Sequence, residues 1–195
     1  YGSIASDKEG YRVIECFSNF KKINFRASLD SKITTTKNRL VGQGGQHICR
    51  WDREEKYTGD EAFNRLLYEL TKNDIVCISD YAKGTVREGT IQKLLDRNCK
   101  ILVDPKQNVG LYKGAFLVKP NLREFKSWFG KFSKEKGHKA VNDYNWTWLV
   151  VTAGANGMHV FNKNGEYKHF QEPAQEVADV TGAGDTVLAV LAYLI

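Results

Sequence analysis

Four short apolar runs, 75–78, 101–103, 115–118 and 148–151, recur along the chain with no polar residue inside them. Runs of this kind are strands buried on both faces. Two of the segments between them carry helical spacing: Ile91, Leu94 and Leu95 precede the second run, and Leu122, Phe125 and Phe129 precede the fourth. Short buried strands joined by helix-length crossovers make a parallel sheet wrapped by helices, so the predicted class is α/β. Residues 158–161, a turn at 162–165, and 167–170 then read as a hairpin that closes the strand sequence with an antiparallel edge.

The N-terminal part differs. A helix is expected over 8–18, with Val13, Ile14 and Phe17 on one side, and 25–51 reads as antiparallel strands and turns broken by Gly42, Gly44 and Gly45. Thr58 with Glu61 reads as a capping box leading Phe63, Leu66, Leu67 and Leu70, and Thr85 with Glu88 as a second box, with Asn98 as the stop. No repeat or linker appears, which predicts one domain with a small strand appendage.

Composition narrows the function classes. The net charge of +6 comes from 29 basic residues interleaved with 23 acidic ones, as at Arg50, Asp52, Arg53, Glu54, Glu55 and Lys56. That pattern is a solvated basic surface and not a nucleic-acid face. Cys16, Cys49, Cys77 and Cys99 stand singly, which predicts buried free thiols in a reducing compartment. No apolar run reaches the roughly 18 residues of a membrane span. A cytoplasmic protein with no membrane partner is expected. Tyr1 is not a start residue and Ile195 lies in an apolar run, so the chain is expected to continue at both ends in its parent.

The chemistry-bearing string is Asp179, Val180, Thr181, Gly182, Ala183, Gly184 and Asp185, running into the apolar Val187, Leu188 and Val190. A glycine-rich turn entering a helix aims unpaired N–H groups and the helix dipole at one anion. Gly182 and Gly184 allow close backbone approach, and Asp185 puts a carboxylate beside it. Amides to stabilise a moving phosphoryl group, with a base for the attacking hydroxyl, suit phosphoryl transfer. No GK[ST] follows, so this is not a Walker A loop. The string resembles the signature of the ribokinase-like (pfkB) carbohydrate kinases.

Other stretches agree in the same order. Asn121, Leu122, Arg123 and Glu124 are similar to the family's NxxE motif, which the resemblance assigns to the nucleotide and to magnesium held largely through water. The same four residues also form a capping box, and both readings can hold at once. Lys119 stands where the family pattern has a small polar residue. Thr152 and Gly154 resemble the strand-end loop near the nucleotide phosphates, or an ordinary turn. Asp179 and Thr181 would sit near a monovalent cation.

Within the family, four stretches look most like the kinase domain acting on D-glycero-D-manno-heptose 7-phosphate: 79–84, 103–106, 119–125 and 179–187. By that likeness Lys83, Asp104 and Lys106 meet substrate, although a surface lysine and a turn-forming Asp-Pro fit those positions equally. The implied fold is ribokinase-like, an incomplete single domain over 1–195. Residues of about 22–52 would supply lid strands on which Lys37, Arg39 and Arg50 could meet the substrate's phosphate, although alternating strand residues also produce solvent-facing charges with no role, the reading preferred here. The resemblance implies a kinase using ATP, magnesium and in some relatives potassium, with a homodimer through the lid strands and, in many relatives, a following adenylyltransferase domain. A kinase for fructose or ribose, or a non-catalytic nucleotide-binding relic, are the alternatives.

Overall fold

The computed structural model of the protein describes residues 1–171 and 182–195, and these form two compact units. The first comprises Tyr1–Glu69 with Lys83–Thr85, and the second Leu70–Ala82 with Val86–Ile195.

In the first unit, strand β1 (Gly2–Ser3) leads to helix α1 (Lys8–Ser18), with the helix bounds as expected. Asp7 caps it. Its Oδ1 accepts the Gly10 N–H at 2.8 Å and the Thr34 hydroxyl at 2.6 Å, and its Oδ2 accepts the Thr34 N–H at 2.9 Å. One carboxylate thus satisfies an orphan amide of the helix and ties it to a segment far along the chain. Strand β2 (Ala27–Ser28) pairs in parallel with β1, while β3 (Thr36–Val41) and β4 (His47–Arg53) form an antiparallel hairpin with a register shift between Leu40 and Val41. Leu40, Ile48 and Trp51 stand exposed on that hairpin. Helix α2 (Glu61–Glu69) half-buries Phe63, Leu66 and Leu67. It starts at Glu61, which corrects the expectation that Glu61 would be the third helical residue of a box led by Thr58.

The second unit holds a six-stranded sheet. Its strands are β5 (Ile75–Ser79), β6 (Lys100–Asp104), β7 (Leu117–Val118), β8 (Trp148–Thr152), β9 (Met158–Asn162) and β10 (Tyr167–Phe170), neighbours in that order. β5 to β8 run parallel, and β9 and β10 turn back as the expected antiparallel hairpin. Helices α3 (Thr90–Leu95), α4 (Leu122–Phe129), α5 (Lys134–Asp143) and α6 (Ala183–Tyr193) flank it. The class is α/β with a mostly parallel sheet.

Alternation sorts the core into two faces. Leu102, Leu117 and Val150 point one way and pack with Leu188 of α6, joined by Trp148, Val160 and Leu191. The opposite row, Val103, Val118, Leu149 and Phe161, is in register across four strands and fully buried. Against it lies α5, where a Cβ built on Gly137 would stand 2.4 Å from the Phe161 ring. Only glycine lets the helix come this close.

Four further expectations need correction. α3 begins at Thr90, five residues beyond the box read at Thr85 and Glu88, because Gly89 takes a left-handed conformation (φ 78°) and starts the helix there. Only one helix, marked by Leu122, Phe125 and Phe129, is expected between the third and fourth runs, but a second follows it: α5, capped by Ser133, which buries Gly137, Ala140 and Val141 while Lys134 and Lys139 stay exposed. Small residues at i, i+3 and i+4 carry the buried face, so apolar spacing is faint there. Cys16, Cys49 and Cys77 are exposed and only Cys99 is buried. Cys77 lies on β5, an edge strand covered less fully than a central one. α3 stops at Leu95 with Asp96 as its cap, short of the expected stop at Asn98, which takes a left-handed conformation (φ 58°) in the turn before β6. Among the described residues no helix is long and apolar enough to cross a membrane.

Candidate active site

Because β5 to β8 are parallel, their carboxyl ends share one edge of the sheet. Ser79 ends β5, Asp104 ends β6, Lys119 follows β7, and Thr152 ends β8. Loops at this edge are where open α/β sheets bind ligands.

The amino end of α6 comes to the same edge. Gly182 precedes the helix in a left-handed conformation (φ 77°), which favours glycine, and Ala183, Gly184 and Asp185 are its first three residues. The leading amides of a helix have no acceptor within it, and the dipole is positive at that end. Asp185 is exposed in this first turn. Its Oδ1 accepts the Ser79 hydroxyl at 2.9 Å and its Oδ2 the Tyr81 hydroxyl at 3.4 Å.

Behind the turn lies an ion pair. Lys119 Nζ is 3.0 Å from Asp104 Oδ2, and Lys119 is only 2% exposed. Burial pushes the Asp104 carboxyl above the usual carboxylate range; the Lys119 ammonium opposes that push, and the Glu124 and Asp185 charges add to it.

The helix-start motif forms as read. Asn121 Oδ1 accepts the Arg123 and Glu124 N–H groups, each at 2.9 Å, while Glu124 Oε2 accepts the Asn121 N–H at 2.8 Å. Glu124 Oε1 also meets Lys106 Nζ at 2.8 Å, a bond that holds the Lys106 ammonium above its usual range against the opposing effect of burial. Leu122 and Arg123 occupy the first turn of α4. Thr152 is bridged to Asn121 and donates its N–H to Pro120 at 3.0 Å, so the NxxE turn and the β8 end form one ledge. Gly154 (φ 59°) opens the short helical turn that follows.

The second unit therefore carries Asp185, Gly182, Ala183, Gly184, Asp104, Lys106, Asn121, Glu124, Thr152 and Gly154 at strand ends, helix starts and the turns that join them. Lys83 belongs to the first unit, where its ammonium pairs with Glu54. Arg50 of the hairpin pairs with Asp52, and Arg39 is its register partner. Asp179 and Thr181 lie outside the described residues. Among the described residues, no three His, Cys, Asp or Glu side chains gather as a metal cluster. Sequence reasoning gave Ser79, Tyr81 and Lys119 no role, although all three sat in stretches that carry the family resemblance, Lys119 as a departure from the pattern.

The profile of the pfkB family carbohydrate kinases matches residues 22–195. The chain belongs to that family. It is 35% identical over 203 residues to the bifunctional protein HldE of Coxiella burnetii, covering 98% of this chain and 42% of that relative. The chain thus spans less than half of that pfkB relative's length. Among solved structures, the Escherichia coli phosphofructokinase-2 in complex with fructose-6-phosphate superposes with a TM-score of 0.78 at 14% identity, over 98% of this chain and 69% of that one. A Vibrio cholerae fructokinase double mutant bound to fructose, ADP and potassium gives 0.71 at 19%, over 100% and 69%. These pfkB-like likenesses establish the ribokinase-like fold of the chain.

Proposed function

We propose that the protein carrying this chain is an ATP-dependent kinase that phosphorylates D-glycero-D-manno-heptose 7-phosphate to the 1,7-bisphosphate, releasing ADP. The observation that carries this reading is an exposed carboxylate, Asp185, in the first turn of α6 and held by Ser79 at the carboxyl edge of the parallel strands. The heptose phosphate is supported by the likeness of four stretches to that kinase domain and by the identity to HldE.

Asp185 takes the proton of the acceptor hydroxyl as its oxygen bonds to the γ-phosphorus and the bond to the β–γ bridging oxygen breaks. The Ser79 bond fixes the carboxylate's orientation. The Ala183 and Gly184 amides stabilise charge on the transferring group, an effect typically worth about 10²-fold or more per donor. Thr152 and Gly154 line the nucleotide side, and Asp104 and Lys106 the sugar side.

Magnesium, when bound, offsets phosphate charge. Glu124 fits it through water, since each of its oxygens accepts one bond from the protein and keeps a second lone pair. Asn121 fits differently. The cap uses its Oδ1 twice, which leaves the amide NH₂, a donor matched to a phosphate oxygen and not to a metal.

The same reading includes a homodimer through the β3–β4 hairpin, supported by exposed Leu40, Ile48 and Trp51; sedimentation of Trp51→Glu should shift the protein toward monomer.

In the full-length protein, Asp185→Asn should lower ADP release by about 10²-fold or more while calorimetric ATP affinity stays unchanged. Undiminished turnover would remove Asp185 from the base role. ADP release across the heptose 7-phosphate, fructose and ribose decides the acceptor.

A further inference from the structure

Beneath the ligand edge of the second unit lies a buried polar group that the chemistry above leaves unused. Asp80, 7% exposed, directly follows β5. Its Oδ1 accepts the Ala82 N–H at 2.8 Å, and its Oδ2 accepts the Tyr112 hydroxyl at 2.6 Å and the Gln107 amide at 2.8 Å.

Tyr112 is fully buried. Its hydroxyl accepts the backbone N–H groups of Lys106 at 3.0 Å and Gln107 at 2.8 Å while donating to Asp80, so all three of its bonding positions are filled. Burial and the Asp80 bond push the Tyr112 phenol far above its usual range, which keeps it a donor to the carboxylate. Trp146 anchors the residue through its indole N–H on the Tyr112 carbonyl at 2.8 Å. Gln107 extends the network to Val86 through its side chain and to α4 through its carbonyl, which accepts the Trp128 indole at 3.0 Å.

Two loops therefore meet at the Asp80 carboxylate, which takes both the Tyr112 hydroxyl and the Gln107 amide, beside the backbone bond from Asp80 N–H to the Asp104 carbonyl at 2.9 Å. The first carries Ser79 and Tyr81, which hold Asp185; the second carries Asp104 and Lys106. We infer that Asp80 and Tyr112 are positioning residues that set the β5 and β6 loops against each other, and so fix the acceptor side of the site. A turn alone would need only the Ala82 bond, which a neutral Asn supplies equally well. A buried carboxylate with three protein donors is a costlier device, and it is placed where it reaches both loops.

This inference rests on the kinase reading only for its kinetic arm, and hydrogen exchange on the full-length protein tests it without substrate. Tyr112→Phe removes the direct acceptor of the Lys106 and Gln107 amides and a donor to Asp80. Exchange should speed about tenfold at 106 and 107 and also at Ala82, which Tyr112 does not touch, with the β8 amides unchanged. Gln107→Ala, a milder half-buried change, should act at Ala82 in the same direction. With D-glycero-D-manno-heptose 7-phosphate as acceptor, both variants should raise the sugar KM, Tyr112→Phe by about tenfold, and leave the ATP KM within about twofold; a merely structural loss would move neither in the folded protein. Unchanged Ala82 exchange in both folded variants would overturn the inference, as would an unchanged sugar KM in an active enzyme. A wild-type protein inert toward the heptose phosphate would instead overturn the kinase substrate, with exchange still deciding the coupling of the loops.

Discussion

Gly184 lies over Asp104: a Cβ built on the glycine would stand 3.2 Å from the Asp104 Oδ2 and 3.4 Å from Lys119 Nζ. Its backbone is helical, so the requirement for glycine comes from what lies opposite and not from a strained φ. Gly184→Ala should leave the thermal midpoint nearly unchanged, because alanine favours the helix by up to about 1 kcal/mol. Catalysis should fall about tenfold or more, since the ion pair must shift beside the proposed phosphoryl-transfer site. Paired melting and turnover measurements check both halves.

Lys119→Met removes the cation from a carboxylate that burial already disfavours. Leaving a buried charge unpaired costs about 3 kcal/mol. The folded Asp104 holds its proton more tightly than the unfolded chain does, since its pKa is raised, and more so in the variant. The sign follows: the penalty is absent below the ordinary Asp value of about 3.9 and develops as pH rises through the higher folded value. Denaturant midpoints from acid to neutral pH should show the variant's deficit growing with pH.

Gly137→Ala should destabilise despite alanine's better helix propensity. Its methyl would lie 2.4 Å from the Phe161 ring, which is held in the buried row of the sheet. Overpacking of this kind costs about 1–3 kcal/mol, and chemical denaturation reads it directly.

Asp7 behaves in the opposite sense to Asp104. The Thr34 hydroxyl and N–H and the Gly10 N–H hold its carboxyl below the usual range. Its contribution is present above the ordinary Asp value and fades as pH falls through the folded one. Asp7→Ala should lower the melting temperature at neutral pH, and the gap to wild type should narrow in strong acid.

His159 stacks on His169 with ring centroids 4.2 Å apart. Burial lowers its pKa, and the charges of His169 and Lys134 lower it further. Its NMR titration should have a midpoint below 6.5, the ordinary histidine value, and His169→Gln should move that midpoint upward. The neutral ring is the one the fold prefers, so stability present above that ordinary value is lost as pH falls through the folded pKa.

Much of this architecture is local and could be read from the chain. Asn121 and Glu124 are three residues apart, so their capping box forms whatever surrounds it. The hairpin of β9 and β10 follows from alternation and a turn, and the parallel strands from apolar runs of the right length. The glycine-rich entry to α6 belongs here too, because backbone freedom at Gly182 is a property of that residue.

Tertiary structure decided what local chemistry leaves open. Ser79 and Asp185 are 106 residues apart, and only the sheet brings the hydroxyl to the carboxylate. Lys119 looks like a surface lysine until β7 and α6 bury it against Asp104. The run at 75–78 reads the same for a central or an edge strand, so Cys77's exposure depended on what lies beside β5. The face that α5 buries is Gly137, Ala140 and Val141, and at Gly137 it is the Phe161 ring, not hydrophobicity, that sets the residue. Sequence fixes the contacts whose partners lie within a turn or two; the rest depend on packing between segments whose distance along the chain carries no record of their meeting in space.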